Sequence, residues 1–527
     1  MIVVTSAEMQ SMDRKTIENF GIPGRILMES AGRGATRCFL ERVFKKVSGR
    51  VGVVAGRGNN GGDGFVIARY LAQKGIDVRV YLLTSSEKVR GDAEANLRLL
   101  APLNVPVVEM PGPGEFARYQ NDMQGMDYWV DAILGTGLKS DVKGYFRQVI
   151  EFINSCRRPV LAVDIPSGVN ADNGQPCGTA IQATATATFA YCKIGHLVFP
   201  GARLCGTVDV IDIGIPPLIE KEINPRQQMI TAETVQGALS RRPPDTHKGR
   251  TGHLLVVAGA KGKTGAAAMT AATAMRAGAG LVTLAVAESL NPIMEAQLTE
   301  AMTVALPDQN SGLLTVSVFN DIARTAEGKA CLALGPGMGT ADTTRELVNK
   351  IVREIDIPLV IDADGLNNLA VDLKVLQNRR APVVLTPHPG EMARLTGDAV
   401  SRIQHDRVTA ARTLAGQCGA FVLLKGARTI VAAPDGRVWI NPTGNPGMAS
   451  GGMGDVLTGL VAGLMAQGCS PAQAATAGAF LHGLAADILS SRTEWGFLAT
   501  DVMLALPQAM QRVKDDPPPP PVQSRFL

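Results

Sequence analysis

The chain of 527 residues lacks the features that mark several classes of protein. Its eight cysteines are scattered, with no Cys-x-x-Cys pair and no metal-ligand spacing, so we interpret them as reduced thiols and expect no zinc site. The net charge is only +4, and no basic stripe is interleaved with aromatic residues, which argues against a nucleic-acid partner. No apolar run is long enough to span a bilayer, and no signal segment begins the chain. We therefore expect a cytoplasmic protein with no membrane partner.

Glycine, by contrast, is abundant, at 57 residues, and the chain carries two patterns of alternating strands and helices. The first pattern occupies residues 1–218 and the second residues 247–514. Each alternation predicts an α/β domain, and the first is typical of a doubly wound, mainly parallel sheet. We interpret residues 219–246 as a linker and residues 515–527, with five consecutive prolines, as a Pro-rich tail.

Three loops of the first domain follow predicted strands and are rich in side-chain oxygens. The loops are Gly56–Gly64, Gly135–Gly137 after a strand that carries Asp131, and Asp164–Gly168. Because ligands bind at the carboxyl ends of strands in an open α/β sheet, the loops are expected to form one pocket. The first loop contains a G-x-G-x-x-G pattern, but the next strand lacks the acid that holds a ribose. The oxygens favour a hard cation over zinc, unless Asp131 and Asp164 only stabilise turns.

These three loops resemble a known family. Asn-Asn-Gly-Gly-Asp-Gly, Asp-Ala-Ile-Leu-Gly-Thr-Gly and Asp-Ile-Pro-Ser-Gly together resemble the NAD(P)H-hydrate epimerase domain, which is Rossmann-like, over most of residues 1–215. The resemblance implies a potassium ion held by Asn60, Asp131 and Ser167. It also implies proton transfer by Asp164, with Lys139 as a second catalytic candidate. The residues implied to bind the hydrated nicotinamide nucleotide are Asn59, Asn60, Gly61, Gly62, Asp63, Gly135, Thr136, Gly137, Leu138, Lys139, Ser140 and Asp141.

The most informative stretch of the second domain is Asn441–Gly459. It leads from a predicted strand, Arg437–Ile440, through a glycine-rich loop into a predicted helix, Val456–Gln467, with Asp455 at its first turn. Bare backbone N–H groups at the positive end of a helix suit a phosphate. A carboxylate there makes sense as a base that deprotonates a hydroxyl attacking a phosphoryl group. The alternative is that Asp455 is only an N-cap.

Four further loops of this domain end predicted strands, at Gly335–Gly339, Asp362–Asn367, Thr386–Glu391 and Lys425–Thr429. Each is weak alone, and a single histidine such as His388 is more often a structural residue. The segment Gly259–Thr264 lacks the glycine spacing of a P-loop, so that interpretation is rejected. With Asp455, the loops indicate a nucleotide-dependent, kinase-like site.

Residues 247–506 resemble the NAD(P)H-hydrate dehydratase domain, which has the ribokinase-like fold, and Asn445–Gly459 is the most specific segment. Ser450 stands where threonine is expected. By resemblance Asp455 is the base. The nucleotide-binding residues implied are Lys425, Gly426, Ala427, Arg428, Thr429 and Gly454, and the hydrated cofactor contacts Ala266, Gly337, Gly339 and His388. The implied cofactors are ADP as phosphoryl donor, with ATP left open, Mg²⁺ and potassium.

The leading hypothesis is therefore a bifunctional metabolite-repair enzyme, expected to be a homo-oligomer. One domain would interconvert the R and S hydrates of NADH and NADPH, and the other would dehydrate the S form by phosphorylation and elimination. One alternative is a small-molecule kinase whose N-terminal domain binds a nucleotide without catalysis. A third hypothesis makes that N-terminal domain a binding scaffold.

Overall fold

A computed structural model describes residues 1–45, 48–239, 242–377, 379–491 and 493–515. The chain divides into two compact units: the first is Ile2–Gln227, and the second takes the described residues from Gln228 onwards. The predicted linker, 219–246, contains a strand and a helix of its own, and the predicted domain boundaries stay a prediction. Residues 516–527 of the predicted tail lie outside the described residues.

The first unit alternates strands with helices along the chain. Its strands are β1 (Ile2–Val4), β2 (Val51–Ala55), β3 (Val78–Leu82), β4 (Val107–Glu109), β5 (Tyr128–Ala132), β6 (Val160–Val163), β7 (Ala185–Phe189), β8 (Cys192–Lys193) and β9 (Thr207–Ile211). Its helices are α1 (Ser6–Lys15), α2 (Gly24–Cys38), α3 (Asn59–Gln73), α4 (Gly91–Arg98), α5 (Pro113–Gln124), α6 (Gly144–Ser155), α7 (Ile194–Leu197), α8 (Gly201–Leu204) and α9 (Pro217–Ile223).

Seven of these strands form a parallel sheet in the order β4-β3-β2-β5-β6-β7-β9. The chain runs outwards from β2 to β4 and then returns to β5 on the other side of β2. Ligands of such sheets bind at this reversal, outside the carboxyl ends of the strands. The predicted doubly wound fold is confirmed.

Both faces of this sheet are covered, as a parallel sheet requires. Successive residues of β2 point to opposite faces, so Val53 packs with Phe65 of α3 while Val54 packs with Trp129 and with Phe116 of α5. All five residues of β2 are buried. The continuous apolar run in the sequence therefore reflects burial on two sides.

The starts of two helices are set by local contacts. Helix α1 begins at Ser6, because Thr5 and Glu8 form a capping box there. Helix α3 begins at Asn59, so the segment Asn59–Gly64 is the first turn and a half of a helix and not a loop. Its glycines permit close packing, since a Cβ on Gly61 would lie 2.0 Å from the Gly56 carbonyl oxygen.

The second unit follows the same construction. Its strands are β10 (Gln227–Met229), which begins at the last residue of the first unit, β11 (His253–Val257), β12 (Leu281–Ala287), β13 (Met302–Leu306), β14 (Cys331–Leu334), β15 (Leu359–Ile361), β16 (Val383–Leu385), β17 (Phe421–Leu424), β18 (Ile430–Ala432) and β19 (Val438–Ile440). Its helices are α10 (Ala232–Gln236), α11 (Thr264–Arg276), α12 (Asn291–Gln297), α13 (Phe319–Ala326), α14 (Asp342–Glu354), α15 (Asp364–Leu369), α16 (Pro389–Thr396), α17 (Val400–His405), α18 (Arg407–Cys418), α19 (Met453–Ala466), α20 (Pro471–Ser490) and α21 (Ala499–Asp515).

Strands β13-β12-β11-β14-β15-β16-β17 lie side by side in that order and are parallel, whereas β18 and β19 continue the row in antiparallel fashion. The strand order reverses between β11 and β14. The loops after β11, β14, β15, β16 and β17 therefore share one edge, which is where the sequence predicts the second site. Among the described helices, none is both long and apolar enough to cross a membrane.

Candidate active sites

The first candidate site lies at the carboxyl ends of β2, β5 and β6, which are neighbours in the sheet. Asp131, in β5, accepts hydrogen bonds from the Ser167 backbone N–H (2.7 Å) and from Ser167 Oγ (2.6 Å). Burial raises the pKa of Asp131 to about 6, although the bonds from Ser167 lower it. The loops after β5 and β6 are thus joined through these two side chains.

The side chain of Asn60 carries a polar atom without a hydrogen-bond partner among the described residues at this edge of the sheet. Its side-chain nitrogen is buried and finds no hydrogen-bond acceptor in the described part of the chain. A Cβ on Gly135 would lie 3.5 Å from the Asn60 side chain, so the loop after β5 passes directly over it. The nitrogen and oxygen of an amide are assigned from hydrogen bonding, so either atom can face a ligand. Hard cations bind the oxygen atoms of amides, carboxylates and hydroxyls, so Asn60, Asp131 and Ser167 fit potassium as ligands.

Asp164, directly after β6, has a left-handed backbone with φ of 65°. Its Oδ1 accepts from Lys193 Nζ at 2.5 Å, from Thr188 Oγ1 at 3.1 Å and from the Phe189 N–H at 3.3 Å. Burial alone would raise the pKa of Asp164, but the charge and hydrogen bond of Lys193 outweigh it and hold that pKa below its usual range. Asp164 is therefore a carboxylate at neutral pH.

Sequence reasoning missed Lys193 and His196. Lys193 is the last residue of β8, among buried residues, and its side chain is fully buried. His196 Nδ1 accepts from the Lys193 backbone N–H, and its Nε2 lies 2.9 Å from the Asp164 carbonyl oxygen, so Nε2 carries the proton. Burial and the charge of Lys193 lower the pKa of His196 to about 3. A lysine within an otherwise apolar buried run was the available signal.

Two further carboxyl groups lie near this ion pair. Burial, and then the charge of Asp164, raise the pKa of Asp63 well above its usual range. Burial raises the pKa of Asp13, in α1, to about 6, while the charge of Lys193 lowers it. One buried lysine thus faces three carboxyl groups and forms its direct ion pair with Asp164. Lys139 lies exposed in the segment between β5 and α6, and its role stays a prediction.

The second candidate site is organised by a buried ion pair. Asp362, at the end of β15, accepts from Lys425 Nζ at 2.6 Å and from Thr458 Oγ1, on α19, at 2.7 Å. Lys425 Nζ also lies 3.8 Å from Glu391 Oε2. Burial raises the pKa of Glu391 to about 6, and the charge of Lys425 opposes that rise. The network joins the ends of β15, β16 and β17 to the first turns of α19.

Asp455 lies in the first turn of α19, two residues after the helix begins at Met453. Burial and the nearby charge of Asp362 raise the pKa of Asp455 to about 6, against the charge of Lys425. A Cβ on Gly454 would lie 3.2 Å from Lys425 Nζ, so the helix start passes closely over the lysine. Among the described residues no basic group forms a direct ion pair with the Asp455 carboxylate, which is half-buried and available to a ligand.

Three of the predicted substrate residues of the second unit, Ala266, Gly337 and Gly339, lie in neighbouring segments. Gly337 has φ of 67°, and a Cβ on it would lie 3.2 Å from the Ala266 side chain and 2.8 Å from the Lys263 carbonyl oxygen. The Gly339 N–H and Lys263 Nζ both donate to Asp364 Oδ2, each at 2.9 Å. His388 caps α16: its Nδ1 accepts from Gly390 N–H at 2.9 Å. The structural interpretation of His388 thus has direct support, and its half-exposed ring also remains open to a ligand.

The predicted nucleotide loop, Lys425–Thr429, follows β17. Gly426 has φ of 140°, and a Cβ on it would lie 2.7 Å from the guanidinium of Arg407. Arg428 is also left-handed, with φ of 58°. Sequence reasoning missed His482 of α20: burial and the charge of Lys425 lower its pKa to about 4, and its Nε2 has no partner among the described residues. Within the part of the chain that is described, no three His, Cys, Asp or Glu residues are grouped to hold a metal.

Known proteins resemble the chain over nearly its whole length. A family described as NAD(P)H-hydrate dehydratase matches residues 254–508, and one described as YjeF-related protein N-terminus matches residues 24–195. The bifunctional NAD(P)H-hydrate repair enzyme Nnr of Moorella thermoacetica is 42% identical over 519 residues, 98% of each chain. Nnr of Thermofilum pendens is 38% identical over 517 residues, 98% of this chain and 97% of its own. A solved ADP/ATP-dependent NAD(P)H-hydrate dehydratase of Bacillus subtilis is 31% identical, with a TM-score of 0.49 over 54% of this chain and 98% of its own.

Proposed function

The chain belongs to the family of bifunctional NAD(P)H-hydrate repair enzymes, and from that premise we propose which residues carry each of its two activities. It is an epimerase and a dehydratase of hydrated NADH and NADPH. The first unit is the epimerase and the second the dehydratase. The division between two separate carboxylates, Asp164 and Asp455, is the core of the proposal.

Asp164 is the proton-transfer group of the epimerase. Epimerisation inverts the configuration of the carbon that bears the hydroxyl. One bond at that carbon breaks and forms again, and the hydroxyl oxygen loses and regains a proton in the process. The support is the carboxylate geometry: Oδ1 accepts from three donors, while the side chain remains partly exposed directly after β6. The hydrated nucleotide binds along Asn59–Asp63 and Gly135–Asp141. Lys139, which is exposed, stays a second candidate for proton transfer.

Potassium belongs to the first site. Asn60, Asp131 and Ser167 would hold it, and the bound cation would supply positive charge for the phosphate groups of the substrate. The observation that favours this role is the buried side-chain nitrogen of Asn60, which has no hydrogen-bond partner in the described chain and can exchange places with the amide oxygen. Asp131 and Ser167 hold each other in place at 2.6 Å, which leaves the donor set preorganised.

Asp455 is the base of the dehydratase, and its position carries the proposal: a half-buried carboxylate at a glycine-rich helix start, beside the Lys425–Asp362 pair. It takes the proton of the substrate hydroxyl as that oxygen attacks the terminal phosphorus of ADP, and AMP leaves. Loss of phosphate from the ring, with a proton from the neighbouring carbon, then restores the double bond. Lys425–Thr429 and Gly454 bind the adenine nucleotide, whose phosphates Mg²⁺ neutralises when bound. Ala266, Gly337, Gly339 and His388 contact the hydrated cofactor.

The test is a product assay with the purified full chain and NADPH hydrate, with ADP and ATP compared side by side. Recovery of absorbance at 340 nm, with release of phosphate, is the expected result, and ADP is expected to be the better donor. A stable phosphorylated product without elimination would instead identify a kinase. Replacing potassium by sodium is expected to slow epimerisation more than dehydration of the S hydrate. The accompanying proposals, a homo-oligomer and a cytoplasmic location, are tested by light scattering and by cell fractionation.

A further inference from the structure

All three N–H groups of the Lys193 ammonium donate hydrogen bonds within the first unit. Its three N–H groups donate to Asp164 Oδ1 (2.5 Å), to Thr188 Oγ1 (2.9 Å) and to the Phe189 carbonyl oxygen (3.1 Å). None of its side chain is exposed. An ammonium has three donors and no acceptor, so Lys193 has no hydrogen left to offer a substrate. It therefore acts on the reaction only through the groups that it contacts.

The two oxygens of Asp164 are unequal. Lys193, Thr188 and the Phe189 N–H all donate to Oδ1, and in the described part of the chain no group donates to Oδ2. The side chain of Asp164 is 15% exposed, whereas that of Lys193 is 0% exposed. One oxygen is thus held from inside the protein, and the other is free to meet a substrate hydroxyl.

The backbone of Asp164 is held by the same segment. His196 Nε2 donates to the Asp164 carbonyl oxygen at 2.9 Å, and His196 Nδ1 accepts from the Lys193 N–H at 3.0 Å. A non-glycine residue with φ of 65° persists only where its surroundings hold it there. The segment from Lys193 to His196 supplies both the charge beside the carboxylate and the bond that fixes its main chain.

We propose that Lys193 is the positioning residue of the epimerase: it keeps Asp164 ionised and presents Oδ2, and not Oδ1, to the substrate. This inference rests on the proposed role of Asp164 as the proton-transfer group. Removing the ammonium would leave a buried carboxylate that takes up a proton more readily. The lost rate would then return when the pH is raised, which loss of a merely structural contact would not produce.

Other titratable groups face the same pair. They are Asp13 on α1, Asp63 on α3, Cys192 on β8 and His196 on α7. Asp13 is the one that could mimic the predicted effect, because its own pKa of about 6 falls in the acidic limb of an activity profile. The experiment therefore includes Asp13→Asn.

The experiment measures conversion of the R to the S hydrate by the parent and the full-length Lys193→Met variant between pH 4 and 9, after subtraction of the spontaneous exchange; the parent is expected to stay nearly flat over this interval, because the pKa of Asp164 lies below its usual range. We expect the acidic limb of kcat to move upwards by about 1–3 pH units, with KM changed less than threefold, because an opposite charge lowers a carboxyl pKa by that amount. Lys193→Arg, which keeps the charge, is expected to retain the original limb. Lys74→Met, at an exposed position of the same unit, is expected to match the parent.

Circular dichroism of the same variants reports whether the first unit remains folded, and dehydration of the S hydrate reports on the second unit. If Lys193→Met destabilises the first unit too far for assay, the Lys193→Arg profile decides, and an acidic limb displaced upwards by one pH unit or more in that variant would overturn the inference. The inference would also be overturned if the acidic limb of the kcat profile did not shift in Lys193→Met. Disappearance of that limb in Asp13→Asn would overturn it as well, because Asp13 would then be the group that titrates. Asp164→Asn distinguishes the two proposals: full epimerisation by that variant defeats the role of Asp164, whereas its loss together with an unshifted Lys193→Met profile defeats only the role of Lys193.

Discussion

The two candidate sites combine the same chemical groups with opposite results. In the first unit the buried Lys193 binds Asp164 directly, at 2.5 Å, and holds its pKa below the usual range despite burial. In the second unit Lys425 binds Asp362 at 2.6 Å instead of Asp455, and burial with the charge of Asp362 raises the pKa of Asp455 to about 6. The partner that the lysine takes therefore decides the protonation behaviour of each carboxylate.

The difference suits the roles that we propose for the two carboxylates. In epimerisation the Asp164 carboxylate would exchange a proton with the hydroxyl of either epimer. Its ion pair with Lys193 keeps the carboxylate ionised between turnovers. A base that must receive a proton next to incoming phosphates benefits from a higher pKa, since its affinity for the proton is then greater. The sharpest tests separate the two carboxylates and then their lysines.

The largest effect is expected from removing each carboxylate. Asp455→Ala should lower kcat for dehydration by about 10²–10⁴-fold, the contribution typical of a general base, and leave epimerisation unchanged. Asp164→Ala should do the reverse. Epimerisation is measured by chromatographic separation of the R and S hydrates and dehydration by absorbance at 340 nm. Each variant is the control for the other, and a folded variant that lost both activities would contradict the two-site assignment.

Removing the lysine of the second site is expected to affect folding as well as activity. Lys425→Met leaves Asp362 buried without its ion-pair partner, and we expect the free energy of unfolding to fall by about 3–5 kcal/mol. Lys263→Met is the matched control: its half-exposed ion pair with Asp364 should contribute at most about 1 kcal/mol. Urea unfolding followed by circular dichroism measures both. Equal losses of unfolding free energy in the two variants would show that the Lys425–Asp362 ion pair contributes no more to stability than the Lys263–Asp364 ion pair.

The two activities should respond differently to acid. The pKa of Asp455 is raised to about 6, so this proposed base is protonated below that pH, and kcat/KM for dehydration should fall about fivefold as the pH drops from 6 to 5. The pKa of Asp164 lies below its usual range, so this group stays ionised over the same interval. Parallel pH profiles on one preparation test this. Coincident acidic limbs would contradict the contrast between the sites.

The smallest effect is expected at Gly454. A Cβ there would lie 3.2 Å from Lys425 Nζ, a tight contact with the end of a flexible side chain. Gly454→Ala should therefore raise KM for the nucleotide only a few-fold, which corresponds to about 1 kcal/mol, and leave kcat for epimerisation unchanged. Gly468→Ala is unsuitable as a control because φ of 92° would strain it. Gly451→Ala, with open space around the new Cβ, is the suitable comparison.

Much of the framework could be predicted because its signals are local. The buried strands appear as short apolar runs, and the loops that follow them carry the polar residues, so the parallel sheets and their carboxyl-end edges follow from position in the chain. The helical start at Asn59 was missed because glycine usually argues against helix. In the folded chain Gly61 lies so close to the Gly56 carbonyl oxygen that a Cβ would not fit. No local sequence pattern predicts this contact.

The sequence by itself determined the two α/β patterns and the family resemblance, and it predicted the two carboxylates, since each depends on neighbouring residues along the chain. Only the tertiary structure decided which lysine serves which carboxylate. Lys193 is 29 residues from Asp164, and Lys425 is 63 residues from Asp362. Burial and Coulomb interactions depend on distance in space, so the protonation states of the two sites are set only when strands and helices far apart in the chain have packed together.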